Sequence, residues 1–434
     1  MKNHLILSLR PEASDFAAPH WIDEIEVNPS ASESIHPEVD KLLKRYQIPV
    51  KVTREYAPQN GKNWSEDEKQ SGLNRIYRLV LKKKTNIPPD LIKAITLIPD
   101  VEYARIGTIG SAPIPKASAL SRRRQTDQQS RDTIYLNEAH RFTRGDDSIT
   151  IAVLDTGVSL DHPEYQSALL EGYDFVDIIS GAEEFFGDYL GADPIPSDEW
   201  VGHGSHVTGI IAAVGDQMPT GVVPNCKILP VRVLGAMRQA GGYVGAGLVD
   251  NINVGVKFAV DQGAQVINMS LGIRHTGGGL PHQAVVDYAQ RKGVSIIAAA
   301  GNDGTNMVYY PSGHPYVITV GAVDETGHVA QFSTYGQHVD FVAPGTNIYS
   351  TYLGSGYAFS SGTSHAAPFV SGAVAMLKSF AKKVGHGLRD GQIKYILKHS
   401  SDKVGRRFKD FKAGYGLINM RDALTLLEYK FNLN

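Results

Sequence analysis

The distribution of apolar and polar residues over the first 110 positions of this 434-residue chain predicts a small α+β unit. Apolar residues spaced by three and four predict a helix over 37–46, and the Pro88-Pro89-Asp90 start signal predicts a second helix that ends before Pro99. Short apolar runs predict strands at 5–9, 50–53, 75–81 and 101–106. The order βαββαβ is that of a ferredoxin-like fold.

The apolar pattern disappears over 111–132, which contains Ser121-Arg122-Arg123-Arg124 among polar residues. We expect an exposed linker with a candidate processing site, because proteases cut such segments. From 133 to 434 the pattern returns in a different form, with short apolar runs between helical segments near 203–214, 247–262 and 281–292. The predicted strands are 149–154, 227–233, 265–271, 294–300, 316–320 and 339–341.

This alternation of strands and helices predicts an α/β fold with a largely parallel, doubly wound sheet. The expected organisation is therefore a unit at 1–110, a linker at 111–132 and a larger domain at 133–434. Functional groups gather at the carboxyl ends of strands in such sheets. Asp155 and Asn302 each follow a predicted strand, so we expect them at the same edge.

Charge and composition narrow the possible partners. Lys and Arg number 43 against 45 Asp and Glu, which gives no argument for nucleic-acid binding. A single cysteine excludes an intrachain disulfide framework and fits a reducing compartment. The apolar run at 5–9 is too short for a signal peptide, and no window is long enough to span a membrane. We therefore expect a cytoplasmic protein without membrane partners, unless an export signal precedes these residues.

One stretch carries candidate chemistry, namely Gly362-Thr363-Ser364-His365-Ala366-Ala367-Pro368. It places a hydroxyl in the first turn of a helix, where unpaired N–H groups stabilise negative charge. A serine in that position is often only a helix cap. A nucleophilic Ser364 needs a base, a group that orients the base, and donors for an oxyanion.

Three other stretches could supply those groups. They are Asp155-Thr156-Gly157, Gly202-His203-Gly204-Ser205-His206 and Ala298-Ala299-Ala300-Gly301-Asn302. The order Asp, His, Ser occurs in one of the known triad arrangements. The residues alone do not decide between the two histidines, because they lie three positions apart on one helical turn.

Together, the Asp155, His203 and Ser364 stretches resemble the three signatures of the subtilisin-like serine proteases, over about 133–428. The resemblance implies a serine endopeptidase with a polypeptide substrate, Ser364 as nucleophile, His203 as general base and Asp155 as the group that orients it. Asn302 and the N–H of Ser364 would form the oxyanion hole. Residues 1–110 resemble the inhibitory propeptide of that family, which implies an autoinhibited zymogen.

Two other functions fit the same residues. One is a catalytically silent or permanently inhibited pseudoprotease that acts as a binding protein. The other is a peptide ligase or macrocyclase that uses the same acyl-enzyme.

By resemblance, the substrate site has two walls, a floor and a strand that pairs with the substrate backbone. The walls are Ser270-Leu271-Gly272 and Ala299-Ala300-Gly301, the floor is Tyr309, and the strand contains Ala240, Gly241 and Gly242. Tyr309 would favour a small side chain in this pocket. Asp303, near its rim, would instead favour Lys or Arg, so the preference stays open.

Three local features leave questions about substrate selection, the residue after the nucleophile and calcium. The segment 171–200 carries nine carboxylates and no Lys or Arg, which indicates either a solvated loop or a negative wall that selects basic substrates. His365 follows the nucleophile where relatives usually have Met, and a packing substitution is the simpler explanation. No cofactor is required; calcium, which relatives often bind, is possible near Glu164 and the loop 214–220 but is not predicted, because too few oxygen ligands can be named.

Overall fold

Four antiparallel strands form the sheet of the first unit in the computed structural model. The structure describes residues 4–13, 16–22, 32–83, 85–112, 128–176, 185–186, 192–239, 242–274, 280–405 and 408–432. The strands of this unit are β1 (His4–Leu9), β2 (Val50–Arg54), β3 (Ile76–Leu81) and β4 (Val101–Ile106), and its helices are α1 (Pro37–Arg45), α2 (Glu66–Gln70) and α3 (Pro89–Thr96). The strand order β2-β3-β1-β4 confirms the predicted ferredoxin-like α+β unit.

Successive residues of β1 pack on opposite sides of this sheet. Leu5 and Leu7 pack with Val39 of α1 and Leu91 of α3. Ile6 points the other way and belongs to a buried cluster that includes Val254 of the second unit. All six residues of β1 are buried. One face of the sheet therefore packs in the core of the first unit, and the other face packs against the second unit.

Seven parallel strands form the centre of the second unit. The remaining strands of the chain are β5 (Ile109–Ala112), β6 (Thr150–Asp155), β7 (Tyr173–Asp174), β8 (Phe185–Phe186), β9 (Lys227–Arg232), β10 (Gly235–Gln239), β11 (Gly242–Leu248), β12 (Val266–Met269), β13 (Ile273–Arg274), β14 (Ser295–Ala299), β15 (Tyr309–Tyr310), β16 (Val317–Val323), β17 (Phe341–Pro344), β18 (Ile348–Thr351) and β19 (Tyr357–Ser360). The remaining helices are α4 (Gln128–Asp132), α5 (Leu136–Ala139), α6 (His203–Ala212), α7 (Val249–Asp261), α8 (Gln283–Arg291), α9 (Thr363–Lys383), α10 (Asp390–Ser400) and α11 (Met420–Asn432). The sheet order is β17-β16-β14-β12-β6-β9-β7.

Helices cover both faces of this sheet. Ile151 and Val153 of β6 pack in a cluster with residues of α6 and α9. Ala152 and Leu154, which point to the other face, pack with residues of α7 and α8. The predicted doubly wound parallel sheet is therefore confirmed. Within the described ranges, no helix combines the length and the apolar character that a bilayer crossing requires.

Two local structures differ from the sequence predictions. The polar helix α2 was not predicted, because it has no apolar stripe; Ser65 and Glu68 stabilise it through a capping box. The predicted exposed linker is wrong at both ends, since β5 pairs with β11 and Arg131 of α4 is buried. Residues 113–127, with the candidate processing site, lie outside the described residues.

Candidate active site

The carboxyl end of β6 and the amino end of α6 bring Asp155 and His203 together. Asp155 is the last residue of β6, and His203 is the first residue of α6. Nδ1 of His203 lies 2.6 Å from Oδ1 of Asp155, and both side chains are buried. The approach requires glycine at 204, because a Cβ there would lie 2.1 Å from the carbonyl oxygen of Gly157. Two of the residues predicted for the triad are thus in direct hydrogen-bond contact.

Opposing effects act on the pKa of His203. Burial would lower this pKa, but the negative charge of Asp155 and the hydrogen bond between the two side chains outweigh burial, so the pKa is raised. Nε2 of His203 is buried and has no hydrogen-bond partner among the described residues. An imidazole that is held at Nδ1 by a carboxylate and is unpaired at Nε2 can accept a proton at Nε2.

Ser364 lies in the first turn of α9, where helical N–H groups have no carbonyl partner within the helix. Its Oγ donates to the carbonyl oxygen of Ser270 at 3.1 Å, and Oγ of Ser270 donates to the carbonyl oxygen of Ser364 at 2.7 Å. The ring of His365 lies 5.4 Å from the ring of His203. The residue after Ser364 thus packs beside His203, and the Ser364 hydroxyl is itself bonded to Ser270.

Asn302 is fixed against the start of the same helix. Its Oδ1 accepts from the backbone N–H of Thr363 at 2.8 Å and from Oγ1 of Thr363 at 3.1 Å. The backbone N–H can only donate, so it identifies the oxygen end of the side-chain amide. The –NH₂ end is then the donor end, as an oxyanion-binding group at this helix terminus requires.

The geometry separates the two histidines that the residues alone did not distinguish. Nε2 of His206 lies 3.1 Å from each of the carbonyl oxygens of Ile348 and Ala358, which ties α6 to the β18–β19 hairpin. Burial lowers the pKa of His206 to about 3. The ring of His365 packs 4.4 Å from that of His206, and within the described ranges neither of its ring nitrogens has a hydrogen-bond partner. Burial, followed by the two neighbouring histidines, holds the pKa of His365 far below its usual range.

Asp198 organises the centre, and sequence reasoning missed it. It accepts from the backbone N–H groups of Val201 at 2.8 Å and Gly202 at 2.7 Å, directly before α6 begins. It also accepts from Oγ1 of Thr156, which in turn accepts from the N–H of Gly204 at 3.0 Å. An Asp shortly before a predicted helix start was an available signal for such capping. The side chain of Asp198 joins the turn after β6 to the start of α6.

The acidic segment 171–200 is not uniformly a solvated loop. Asp174 and Asp198 are both buried, so the solvated interpretation is wrong for these two. Asp174 accepts from Arg232; burial outweighs that cation and raises the pKa of Asp174 to about 7. Glu171 and Glu199 are exposed. Asp177, Glu183, Glu184 and Asp188 lie outside the described residues.

A segment of the first unit occupies an edge of the second. Strand β5 pairs antiparallel with β11, and the pairs run from Ala112 opposite Gly245 to Ile109 opposite Leu248. The residues predicted to pair with the substrate backbone, Ala240, Gly241 and Gly242, precede this paired stretch in the chain. Gly242 pairs with Gln239 in the β10–β11 hairpin, and Ala240 and Gly241 lie outside the described residues.

The predicted pocket walls converge on Tyr309. Ser270, Leu271, Ala299 and Ala300 are buried. A Cβ at Gly272 would lie 3.2 Å from Cβ of Tyr309, and a Cβ at Gly301 would lie 2.8 Å from its Cδ2. The Tyr309 ring thus lies against both glycines, and Leu271 packs into the buried cluster on the α7 side of the sheet.

The residues considered for calcium do not fit a cation. The carboxylate of Glu164 accepts from the N–H groups of Gly215 at 2.8 Å, Asp216 at 3.1 Å and Gln217 at 2.7 Å. The loop therefore presents donors to this carboxylate, whereas calcium requires oxygen ligands. Over the described ranges, no group of three or more His, Cys, Asp or Glu side chains is arranged to hold a metal ion.

Comparison with known proteins gives a consistent result. The sequence profile of the Subtilase family matches residues 146–416. The chain is 37% identical over 338 residues to the thermophilic serine proteinase of Bacillus sp. strain AK1, a match that covers 77% of this chain and 75% of that protein. It is 38% identical over 256 residues to thermitase of Thermoactinomyces vulgaris, which covers 58% of this chain and 81% of thermitase.

A solved structure agrees with these sequence matches. The prenylagaramide maturation protease PagA superposes with a TM-score of 0.55 at 29% identity. The superposition covers 67% of this chain and 98% of PagA. The family match at 146–416 includes Asp155, His203 and Ser364.

Proposed function

This chain belongs to the subtilase family and is a serine endopeptidase, and we propose that Asp155, His203 and Ser364 are its catalytic triad. The observation that carries the proposal is the buried contact of 2.6 Å between His203 and Asp155 at the carboxyl edge of the sheet. The ring of His365, the residue after Ser364, lies 5.4 Å from the ring of His203 and also supports the proposal.

In the proposed reaction, the Ser364 hydroxyl turns from Ser270 towards Nε2 of His203. His203 takes the hydroxyl proton as Oγ forms a bond to the peptide carbonyl carbon. Asp155 holds Nδ1–H and stabilises the imidazolium that results. His203 then gives the proton to the leaving amine, the peptide C–N bond breaks, and an acyl-enzyme remains. Water, deprotonated by the same His203, releases the acid product and restores Ser364.

The negative charge on the carbonyl oxygen develops at the amino end of α9. The N–H of Ser364 and the –NH₂ of Asn302 are the proposed donors for this oxyanion. The helix dipole adds a positive potential at the same position. Because Thr363 fixes Asn302, these donors need little rearrangement during the reaction.

We further infer that the first unit is an intramolecular inhibitor. Strand β5 covers the edge of β11 on which an extended substrate would pair. The units are also joined by buried charges, since Asp250 of α7 accepts from Arg105 of β4 and lies 2.8 Å from Nε2 of His4. The chain would then be a zymogen until the segment around 113–127 is cut.

A second buried ion pair supports the same arrangement. Arg78 of β3 donates to both carboxylate oxygens of Glu55, at 2.7 and 2.8 Å. Its Nη2 also donates to Oδ1 of Asn251 in α7 at 3.1 Å. Burial raises the pKa of Glu55 against the effect of Arg78. The ion pair lies within the first unit, and the hydrogen bond to Asn251 connects it to α7 of the second unit.

Comparison of wild type with Ser364→Ala tests these proposals. We expect a fluorophosphonate probe to label wild-type Ser364 after release of the first unit, and mass spectrometry to show a cut within 113–127 only in wild type. An intact wild-type chain whose serine stays unlabelled after the first unit is removed would instead indicate a silent binding protein. Joined peptides among the products would indicate a ligase.

A further inference from the structure

An arginine that sequence reasoning did not single out joins the two residues that gave conflicting indications of substrate preference. Nε of Arg274 donates to Oη of Tyr309 at 3.0 Å, and its Nη2 donates to Oδ2 of Asp303 at 2.6 Å. Tyr309 also donates to Asp303. The guanidinium lies 5.5 Å from the centre of the Tyr309 ring. One side chain thus contacts both determinants through its planar fork.

The direction of β5 shows where a substrate strand would lead. Ala112 lies opposite Gly245, and a Cβ at Gly245 would lie 2.6 Å from Cγ2 of Thr156, the neighbour of Asp155. A peptide that follows the β5 track therefore continues from Ala112 towards the proposed catalytic centre.

The residue whose carbonyl is attacked must lie next to Ser364. Ser270 is hydrogen bonded to Ser364, and Gly301 donates to Oγ1 of Thr363 at 3.1 Å. The side chain of the attacked residue accordingly enters between the segment that begins at Ser270 and the segment that ends at Gly301.

Tyr309 occupies the far side of that space. It contacts the Gly272 and Gly301 positions, and β15, which contains it, pairs with β13, which contains Arg274. The hydrogen bond from Tyr309, followed by the contact with Arg274, lowers the pKa of Asp303, so the carboxylate is ionised and already neutralised. The backbone pairing and the side-chain contacts fix the ring together.

We propose that Arg274 makes the enzyme select a small, uncharged side chain at the residue whose carbonyl is attacked. The Tyr309 ring excludes a large side chain, and Arg274 occupies the carboxylate that a Lys or Arg of the substrate would need. The indication from Tyr309 therefore prevails over that from Asp303. This inference rests on the proposed hydrolysis by Ser364 and names the substrate class of that same site.

The test is a competition among three peptides that differ only in Ala, Phe or Arg before the scissile bond. The full-length protein hydrolyses the mixture, and mass spectrometry gives the ratios of kcat/KM. Because any inhibition by the first unit affects all three peptides equally, the ratios do not depend on the active fraction. For wild type we expect Ala to be favoured over Phe and over Arg by about tenfold or more.

Three variants separate the two effects of Arg274. Arg274→Ala frees both partners, so the Arg-to-Ala and Phe-to-Ala ratios should each rise by about tenfold. Arg274→Lys keeps the neutralising charge without the fork, so the Phe-to-Ala ratio should rise while the Arg-to-Ala ratio stays low. Asp303→Asn added to Arg274→Ala should abolish the gain for the Arg peptide.

Arg421→Ala is the matched control, since Arg421 makes an equivalent exposed contact with Asp422 at 2.8 Å and lies over the ring of Tyr135. It should leave all ratios unchanged. A wild-type preference for Phe or Arg, or unchanged ratios in Arg274→Ala, overturns the inference while fluorophosphonate labelling of Ser364 still supports hydrolysis. A protein that shows neither labelling nor any hydrolysis after release of the first unit contradicts the proposed function and this inference together.

Discussion

Two buried His–Asp pairs in this molecule have nearly the same contact distance and very different surroundings. His203 lies 2.6 Å from Asp155 in the proposed catalytic centre, and His4 lies 2.8 Å from Asp250 between the two units. Asp250 is also paired with Arg105, whereas Oδ2 of Asp155 has no hydrogen-bond partner in the described part of the chain. Fully paired charges hold structures together, and incompletely paired ones are available for chemistry.

The effects on the two carboxylates follow from these surroundings. Burial would raise the pKa of Asp250, but Arg105 and His4 outweigh burial and the pKa is lowered. In the other pair, it is the pKa of the imidazole that changes. Burial would lower the pKa of His203, but Asp155 outweighs burial and raises it. One pair thus fixes a negative charge, and the other prepares a base.

The largest predicted effect on kcat comes from removing the charge of Asp155. Asp155→Asn should lower kcat about 10⁴-fold, because the amide cannot stabilise the imidazolium. The melting temperature and peptide kinetics should be measured together. If the turnover of Asp155→Asn stays within about tenfold of wild type, His203 and Asp155 do not form the reacting pair.

The oxyanion donor gives the next largest effect. Asn302→Ala should lower kcat by about 10²–10³, a figure measured for the equivalent loss in a member of this family, with little change in KM. The reason is that the amide contacts charge that exists only in the transition state. Steady-state kinetics on one peptide checks this, and an effect on KM alone would assign Asn302 to substrate binding.

Substitution of Asp250, the carboxylate between the two units, should affect the docking of the first unit. Asp250→Asn leaves the half-buried Arg105 without its counter-charge and should weaken docking of the first unit by about 2–5 kcal/mol. In a Ser364→Ala background, which removes self-cleavage, amide hydrogen exchange of Ile109–Ala112 should accelerate.

A control on the same unit completes this experiment. Asp90 forms only an exposed contact of 3.9 Å with Lys93, so Asp90→Asn should leave exchange unchanged. Equal exchange in both variants would contradict an inhibitory role for the buried pair.

A smaller effect concerns pH. Since the pKa of His203 is raised, the acid limb of kcat/KM should have its midpoint above about 6.5, the usual value for histidine. The same shift contributes to folding stability below that value, and the contribution is lost as pH rises through the raised pKa. In Asp155→Asn, only the smaller effect of Asp198 still opposes burial, so the midpoint should move below about 6.5. A titration of residual activity compares the two proteins.

The smallest effect should come from a carboxylate that only holds backbone. Glu164→Gln reduces the charge that fixes Gly215–Gln217 and should lower the free energy of unfolding by about 1–2 kcal/mol, with kcat unchanged. EDTA should leave the amide hydrogen exchange of Gly215–Gln217 unchanged in wild type, because Glu164 and not a cation holds this loop. Faster exchange of these residues in EDTA would contradict that assignment.

The residues proposed for catalysis can be recognised in the sequence more readily than the contacts around them. Asp155, His203 and Ser364 lie in short motifs at element ends, where local chemistry and position are both readable. His4 and Asp250 are separated by 246 positions and belong to no motif, so only tertiary structure unites them. The order of strands and helices along the chain followed from the apolar periodicity. The register of β5 on β11 depends on a hairpin whose geometry the apolar pattern does not encode.

The same limit explains why Arg274 was missed. Its position follows from the pairing of β13 with β15, two strands of two residues each that are too short to produce a periodic signal. Asp303 and Tyr309 were visible because they lie close to a recognisable motif. The sequence did not show which of the two determines the substrate preference, because Arg274, which decides this, is 29 positions from Asp303.

The pairing of β5 with β11 within one covalent chain has a consequence for concentration. A tethered segment reaches its site at an effective concentration on the order of millimolar, so a micromolar peptide competes poorly for the same edge. A single cut between 113 and 127 would break the covalent link between β5 and the second unit. It would let the segment dilute into the surrounding volume, and the affinity of the separated unit, together with its abundance, would then determine how much enzyme is free.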